Sequence, residues 1–282
     1  MTNDLPLGTI DVITRAYEED LGQRGDVTTL ATIPGSHQSV AHFVARAEGC
    51  LAGVTLIEMC LLHIDDTLTV EILADDGALV DANTVVVRAS GSTRSLLIAE
   101  RVALNLFGRL SGIATATRAF VDAVAGTGAT ITDTRKTTPG LRALEKFAVR
   151  MGGGMNHRMG LYDAVLIKDN HLVASASIQD AVKEARDLVG TDMVVEVEVD
   201  TLDQLKLVLN TSADTVLLDN MTPTELSAAV AMVNGTIRTE ASGGVTLETV
   251  QAIAETGVDT ISVGWLTHSA PSLDVAMDLT ST

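Results

Sequence analysis

The residues best equipped for chemistry in this chain lie between Ile131 and His171. Three segments carry them: Asp133-Thr-Arg-Lys-Thr-Thr-Pro-Gly140, Met151-Gly-Gly-Gly-Met-Asn-His-Arg158 and Ile167-Lys-Asp-Asn-His171. The span holds seven Lys or Arg (Arg135, Lys136, Arg142, Lys146, Arg150, Arg158, Lys168) against four acids (Asp133, Glu145, Asp163, Asp169). Seven minus four gives +3, within a chain whose net charge is −18. Scattered charge of this kind usually marks a solvated helix face. Here the cations sit in Gly- and Pro-punctuated stretches at the ends of apolar runs, where loops carry binding sites. The chemistry implied is recognition of a small, densely anionic molecule.

Further polar groups follow the same logic downstream. Glu196 and Glu198 fall on one strand face at period two, Asp219-Asn220 ends the next apolar run, and Ser242-Gly243-Gly244 and Gly264 end the last two. Glu198 and Asp219 are two carboxylates at successive strand ends, a pair suited to hydrated Mg²⁺. A structural pairing of either with Lys168 or Lys136 is the competing reading. Ser242, Gly243 and Gly244 precede a helix expected from Thr246, so backbone N–H groups and a hydroxyl would cradle a phosphate, with Gly264 allowing close backbone approach. Arg135, Arg158 and His157 can donate charge-assisted hydrogen bonds to carboxylates. His171 and His268 receive no role.

The elements that must position these groups are legible as a strand–helix rhythm from about residue 130. Strands are expected at 129–132, 164–167, 194–199, 215–218, 236–239 and 260–263, with helices at 201–209, 222–232 and 246–255, several opened by a Thr N-cap. Apolar strands without clean alternation are covered on both faces, as in parallel sheets. A closed or nearly closed α/β barrel fits the rhythm better than an open nucleotide-binding sheet, because no G-x-G-x-x-G follows an early strand. Barrel enzymes carry their chemistry at the C-terminal ends of strands, where all these polar groups fall. The first hundred residues differ. Strands expected at 38–47, 68–73 and 84–90 alternate apolar and polar, and a long helix from about Ser95 to Ala125 leads onward. Asp65-Asp66 and Asp75-Asp76 read as turn formers. The domain boundary is expected near Arg109 to Gly112, giving domains 1–110 and 111–282, with a C-terminal helix packing back on the first.

Composition sets outer limits. At 46% hydrophobic and 2% aromatic, the 282-residue chain must build its core from aliphatic residues. The acidic balance, without a basic face or aromatic platform, argues against nucleic-acid binding. The longest apolar region, Cys50 to Ile64, is interrupted by Glu58 and His63 and is too short to span a bilayer. Cys50 and Cys60 show no metal-ligand spacing and read as buried thiols of a reducing compartment. A soluble, cytoplasmic protein is the expectation.

Seven ordered motifs give a resemblance. Asp133–Arg142, Gly153–Arg158, Lys168–His171, Glu196–Glu198, Leu218–Asn220, Glu240–Gly244 and Ser262–Gly264, with Arg24–Thr29 and Glu100–Asn105 upstream, are similar to the quinolinate phosphoribosyltransferase (carboxylating nicotinate-nucleotide pyrophosphorylase) family over nearly the whole chain. The resemblance implies an N-terminal α/β sandwich joined to an incomplete α/β barrel of fewer than eight strands. It implies conversion of quinolinate and phosphoribosyl pyrophosphate to nicotinate mononucleotide, pyrophosphate and CO₂ in NAD biosynthesis, with Mg²⁺. Arg135, His157, Arg158 and Lys168 would contact the pyridine dicarboxylate, while Thr134 lines the site. Lys136, Glu198 and Asp219 would act on the phosphoribosyl group and its metal. Ser242, Gly243, Gly244 and Gly264 would hold the 5′-phosphate. Arg101 would reach the neighbouring site of a homodimer, which can assemble further into a hexamer. The alternatives are the same chemistry on a monocarboxylate ring such as nicotinate, and an anion-binding barrel without catalysis.

Overall fold

The computed structural model describes residues 5–281, which pack as two compact units. The first contains the described residues up to Arg118, Thr137–Gly153 and the segment from Leu266 onward; the second contains Ala119–Lys136 and Gly154–Trp265.

In the first unit, helices α1 (Thr9–Leu21) and α2 (Val27–Thr32) precede strands β1 (Gln38–Ala45) and β2 (Gly49–Cys50). Then come helix α3 (Val54–Ile64), strands β3 (Thr69–Ile72), β4 (Leu79–Val80) and β5 (Thr84–Ser92), and helix α4 (Thr93–Ala123). Asp26 caps α2 by accepting from the Thr29 amide at 2.9 Å. The second acidic doublet does more than turn the chain: Asp76 accepts from the Val54 amide at 2.8 Å at the start of α3. The α4 pattern Leu96, Ala99, Ala103, Phe107, Leu110, Ala114 repeats every three to four residues and is buried. This stripe joins Phe43, Val87, Leu56 and Leu61 in one aliphatic core. Cys50 and Cys60 lie in that core as free thiols, as the sequence suggests, and burial pushes the Cys60 thiol up to about 12.

The boundary expected near residue 110 lies within α4, which runs on without a break. The later helix α5 (Arg142–Met151) also belongs to the first unit, because Leu144, Phe147, Ala148 and Val149 enter its core. The expected C-terminal helix is instead strand β12 (Val275–Ser281), antiparallel to β1 from Ala45↔Val275 to Ser39↔Ser281. Edge pairing with β1 satisfies backbone groups that a short polar helix would leave to water. The resulting sheet has the order β12-β1-β5-β3.

The second unit is built from strands β6 (Thr130–Thr132), β7 (Val165–Ile167), β8 (Val195–Val199), β9 (Thr215–Asp219), β10 (Arg238–Ser242) and β11 (Thr260–Ser262). Between them lie helices α6 (Asp169–Leu172), α7 (Ile178–Val189), α8 (Leu202–Val208), α9 (Pro223–Val233) and α10 (Val250–Ala254), with α11 (Trp265–His268) following β11. All strand pairs are parallel, in the order β6-β11-β10-β9-β8-β7. This is an incomplete barrel of six strands, and the closed barrel is overturned: β6 and β7 do not pair. A single parallel bridge from Thr132 to Met155 occupies the inner side of β6 instead, with the Met155 amide donating to Ile131 at 2.8 Å. Capping boxes at Thr201/Gln204 and Thr222/Glu225 start α8 and α9 where the sequence places them.

Two local shifts bear on the site. Asn234 ends α9 in the left-handed region (φ 44°), and the Thr236 amide folds back to Val233, so β10 starts at Arg238 and carries Glu240, Ala241 and Ser242 within the strand. Residues 246–249 form a hydrogen-bonded turn, with the Thr246 amide donating to Thr249 Oγ1 at 3.0 Å, and α10 begins only at Val250. The helix expected from Thr246 is therefore absent at that position.

Gly112 gives a direct test of the packing in the first unit. A Cβ there would lie 2.0 Å from the Pro271 carbonyl oxygen. In a free helix Ala is better than Gly by about 1 kcal/mol. Gly112→Ala should nevertheless destabilise the protein, by about 1–3 kcal/mol of overpacking, in urea titrations. An increase in the urea midpoint would overturn the close approach of residue 271 to α4.

Candidate active site

The C-terminal strand ends of the parallel sheet open into a cavity of about 420 Å³. Its lining brings together Thr134, Arg135 and Lys136 after β6, His157 and Arg158 from the loop after Met155, and Lys168 after β7. Glu198 of β8, Asp219 of β9, Glu240 and Ser242 of β10 and Ser262 of β11 complete the polar wall, with Leu166 and Leu217 as apolar surface. Nine of the residues expected from sequence thus meet in one place: Thr134, Arg135, Lys136, His157, Arg158, Lys168, Glu198, Asp219 and Ser242. Gly243, Gly244 and Gly264 follow at the ends of β10 and β11, which are sheet neighbours. Arg101 does not line this cavity; it lies on α4, exposed, beside Glu100 at 3.6 Å.

The loops are held by specific bonds. Asp133 is fully buried and accepts from Asn156 Nδ2 at 2.6 Å and from the His157 amide at 3.0 Å, so it fixes the loop that brings in Arg158. Arg158 Nη1 donates to the Ala164 carbonyl at 3.0 Å. Burial and the neighbouring Arg135 charge lower the Arg158 pKa, while Glu196 and Asp163 oppose that shift. Lys168 is ion-paired with Glu198, the structural pairing that the sequence left open. Asp219 accepts from Asn220 Nδ2 at 2.6 Å.

Backbone geometry shapes the remaining rim. Asn220 adopts φ 54°, and its amide donates to the Ser242 carbonyl at 2.9 Å. Gly243 (φ 95°) and Gly244 (φ 59°) follow, and a Cβ on Gly243 would lie 2.2 Å from Asn220 Oδ1. These two glycines let the chain turn through the left-handed region after β10, and the helix expected from Thr246 does not begin directly behind them.

Glu196 and Glu240, which have no role in the sequence pattern, both lie against His157, and Glu240 lines the cavity with it. His157 Nε2 lies 3.1 Å from Glu196 Oε2 and 3.6 Å from Glu240 Oε1. The period-two relation of Glu196 to Glu198 was a usable signal, because it puts both on one strand face. Glu240 gave none, since the sequence pattern left it beyond the strand. Burial, then the Glu196 charge, push the Glu240 carboxyl up to about 7, against an ordinary 4.5, with His157, Ser262 and Lys168 opposing.

Such a constellation defines an α/β enzyme class that binds polyanionic substrates at the open end of a parallel sheet. Models of the quinolinate phosphoribosyl transferase N-terminal and C-terminal domains match residues 26–111 and 113–278. The chloroplastic carboxylating nicotinate-nucleotide pyrophosphorylase of Arabidopsis thaliana is 44% identical over 286 residues, covering 95% of this chain and 82% of that protein. A probable carboxylating nicotinate-nucleotide pyrophosphorylase of Bacillus subtilis is 44% identical over 264 residues, covering 94% and 91%. Among solved structures, NadC from Streptococcus pyogenes superposes with a TM-score of 0.95 at 38% identity, covering 100% of both chains. The chain belongs to the quinolinate phosphoribosyltransferase family.

The raised Glu240 carboxyl makes a prediction about stability. The folded state holds this proton more tightly than the unfolded chain, so its stabilising contribution is full at low pH and falls as pH rises from about 4.5 to about 7. Glu240→Gln cannot ionise. Its melting temperature should rise relative to wild type between about pH 5 and about pH 8. A difference that stays flat across this window would show that Glu240 ionises normally.

Proposed function

We propose that this enzyme transfers the phosphoribosyl group of phosphoribosyl pyrophosphate to quinolinate, with loss of CO₂, to give nicotinate mononucleotide and pyrophosphate in de novo NAD biosynthesis. The observation that carries the reading is one cavity in which Arg135, Lys136, Arg158 and Lys168 converge with Glu198 and Asp219. A dianionic ring and a pyrophosphate ester repel each other. Four cations on one rim offset that repulsion and orient the pair.

Arg135, Arg158 and Lys168 take the two ring carboxylates, and Lys136 faces the departing pyrophosphate. Ser242, Gly243, Gly244 and Gly264 hold the 5′-phosphate. The ring nitrogen attacks the anomeric carbon as the bond to pyrophosphate breaks and its electrons leave with the pyrophosphate oxygen. Glu198 and Asp219 sit where positive charge grows on the ribose, and they stabilise it electrostatically. The electron pair released when the adjacent carboxylate departs as CO₂ stays on the ring carbon, stabilised by the positive charge of the neighbouring quaternary nitrogen, until that carbon takes a proton. Mg²⁺ belongs to this proposal: Glu198 and Asp219 offer it hard oxygen donors, and when bound it would neutralise pyrophosphate oxygens.

A homodimer with Arg101 supplied across subunits is part of the same reading, supported by the exposure of Arg101. A hexamer built from such dimers belongs to the same proposal. A cytoplasmic location is supported by the two free, buried cysteines. Among the described residues no helix is long and apolar enough to cross a membrane.

The decisive assay supplies Mg²⁺, phosphoribosyl pyrophosphate and either quinolinate or nicotinate, following pyrophosphate and CO₂ together. Equimolar release with quinolinate is expected; pyrophosphate without CO₂, from nicotinate, would transfer the reading to a monocarboxylate ring. Lys136→Ala and Arg158→Ala should each lower kcat/KM by about 10²-fold or more; near-wild-type kinetics would remove that residue from the mechanism. Mixing Arg101→Ala with Lys136→Ala should restore part of the activity through hybrid dimers, and no recovery would place Arg101 outside a shared site.

A further inference from the structure

Glu196 and Glu240 stand outside the roles given above, although Glu240 lines the cavity, both lie against His157, and both are nearly inaccessible, with side chains 5% and 6% exposed. One oxygen of each, Oε1, is buried without a hydrogen-bond partner. The group they enclose is His157, and the state of its ring follows from its bonds. The Arg158 backbone N–H points at His157 Nδ1 from 2.8 Å. An N–H can only donate, so Nδ1 carries a lone pair and the ring hydrogen is on Nε2. That hydrogen meets Glu196 Oε2 at 3.1 Å, with Glu240 Oε1 behind it at 3.6 Å. A flipped ring would turn carbons toward the Arg158 amide and the glutamates, leaving a buried donor and a buried carboxylate without partners. Both ring nitrogens are thus engaged by the protein.

We propose that Glu196 and Glu240 are positioning residues that hold His157 in its Nε2–H form, and that His157 in turn fixes the Arg158 backbone which aims the guanidinium at the substrate's carboxylates. His157 then acts through Arg158. The His157 amide bond to Asp133 at 3.0 Å clamps the same residue from its other side. The arrangement parallels metal-binding histidines, whose orientation is set by a carboxylate on the far nitrogen. Here the histidine's near nitrogen holds a backbone amide. The proposal rests on the quinolinate reading for the identity of the anion, but the state of the ring does not depend on it.

Two measurements test it. Nitrogen-15 NMR of histidine-labelled, ligand-free wild type, with the His157 signals assigned by their loss in His157→Gln, should show an Nε2–H neutral ring. Saturation with quinolinate should leave it unchanged. An imidazolium, an Nδ1–H ring or a change of form on adding quinolinate would overturn the proposal. In kinetics, Glu196→Gln and Glu240→Gln should each raise the KM for quinolinate by about 10-fold, the scale of losing an orienting partner, and leave the KM for phosphoribosyl pyrophosphate unchanged. His157→Asn, whose side-chain oxygen can stand near the Nδ1 position and accept from the Arg158 amide, should retain most of the kcat that His157→Ala loses. Equal effects on both KM values, or no rescue by Asn, would reduce the three residues to a general structural role. Should a glutamate variant fail to fold, the wild-type spectrum still decides. A wild type inactive with quinolinate would refute the functional reading and leave the ligand-free spectrum as the test of the clamp.

Discussion

Charge burial is the constraint on which the site depends. Arg135, Lys136, Arg158 and Lys168 share a cavity of about 420 Å³. Like charges this close in a partly desolvated space repel strongly. The protein answers with acids: Glu198, Asp219 and Glu240 line the same cavity, Glu198 paired with Lys168, and Glu196 takes the Nε2–H of His157. Burial first, and like charge second, lowers the Arg158 pKa and raises that of Glu240, cation against cation and acid against acid. A dianionic ligand entering such a cavity completes a charge balance that the protein alone holds only through internal pairing.

The parallel sheet makes the balance possible. Parallel strands deliver every C-terminal end to one rim, so residues separated by more than a hundred positions become neighbours without any long loop. The sheet need not close. Met155 bridges to Thr132 beside β6, and the loop it begins carries His157 and Arg158 into the cavity. An unbroken ring of strands would have needed that space for ladder hydrogen bonds. Openness on this side thus gives the histidine and arginine their place.

The first unit uses a different principle, aliphatic packing along one long helix. Charged groups are buried there too: Glu145, fully inaccessible like its neighbour Lys146, accepts from Arg109 Nη2 at 2.9 Å and from the Thr138 amide at 3.0 Å. Removing one partner from such a pair costs about 3–5 kcal/mol, because the other charge is left uncompensated. The ion pair is therefore a fixed point of that unit, holding residue 138 just after the Arg135-Lys136 segment.

Much of this was legible in the sequence, for local reasons. The apolar runs at 194–199 and 215–218 with Thr201 and Thr222 behind them mark strands and capped helices by composition alone, and the cation-rich, glycine-punctuated loops mark the site. Where the sequence misled, the cause was nonlocal. Residues 275–281 form a strand because β1 offers an edge, and α5 joins the first unit because its apolar face fits that core. The turn at Thr236 moves β10 forward by two residues and carries Glu240 into the cavity wall. The sequence by itself determined which chemical groups gather at the strand ends, since residue type and periodicity are properties of the chain. Which acid faces which cation, and which nitrogen of His157 bears its hydrogen, only the tertiary structure decided, because those depend on distances between strands that the chain brings together from far apart.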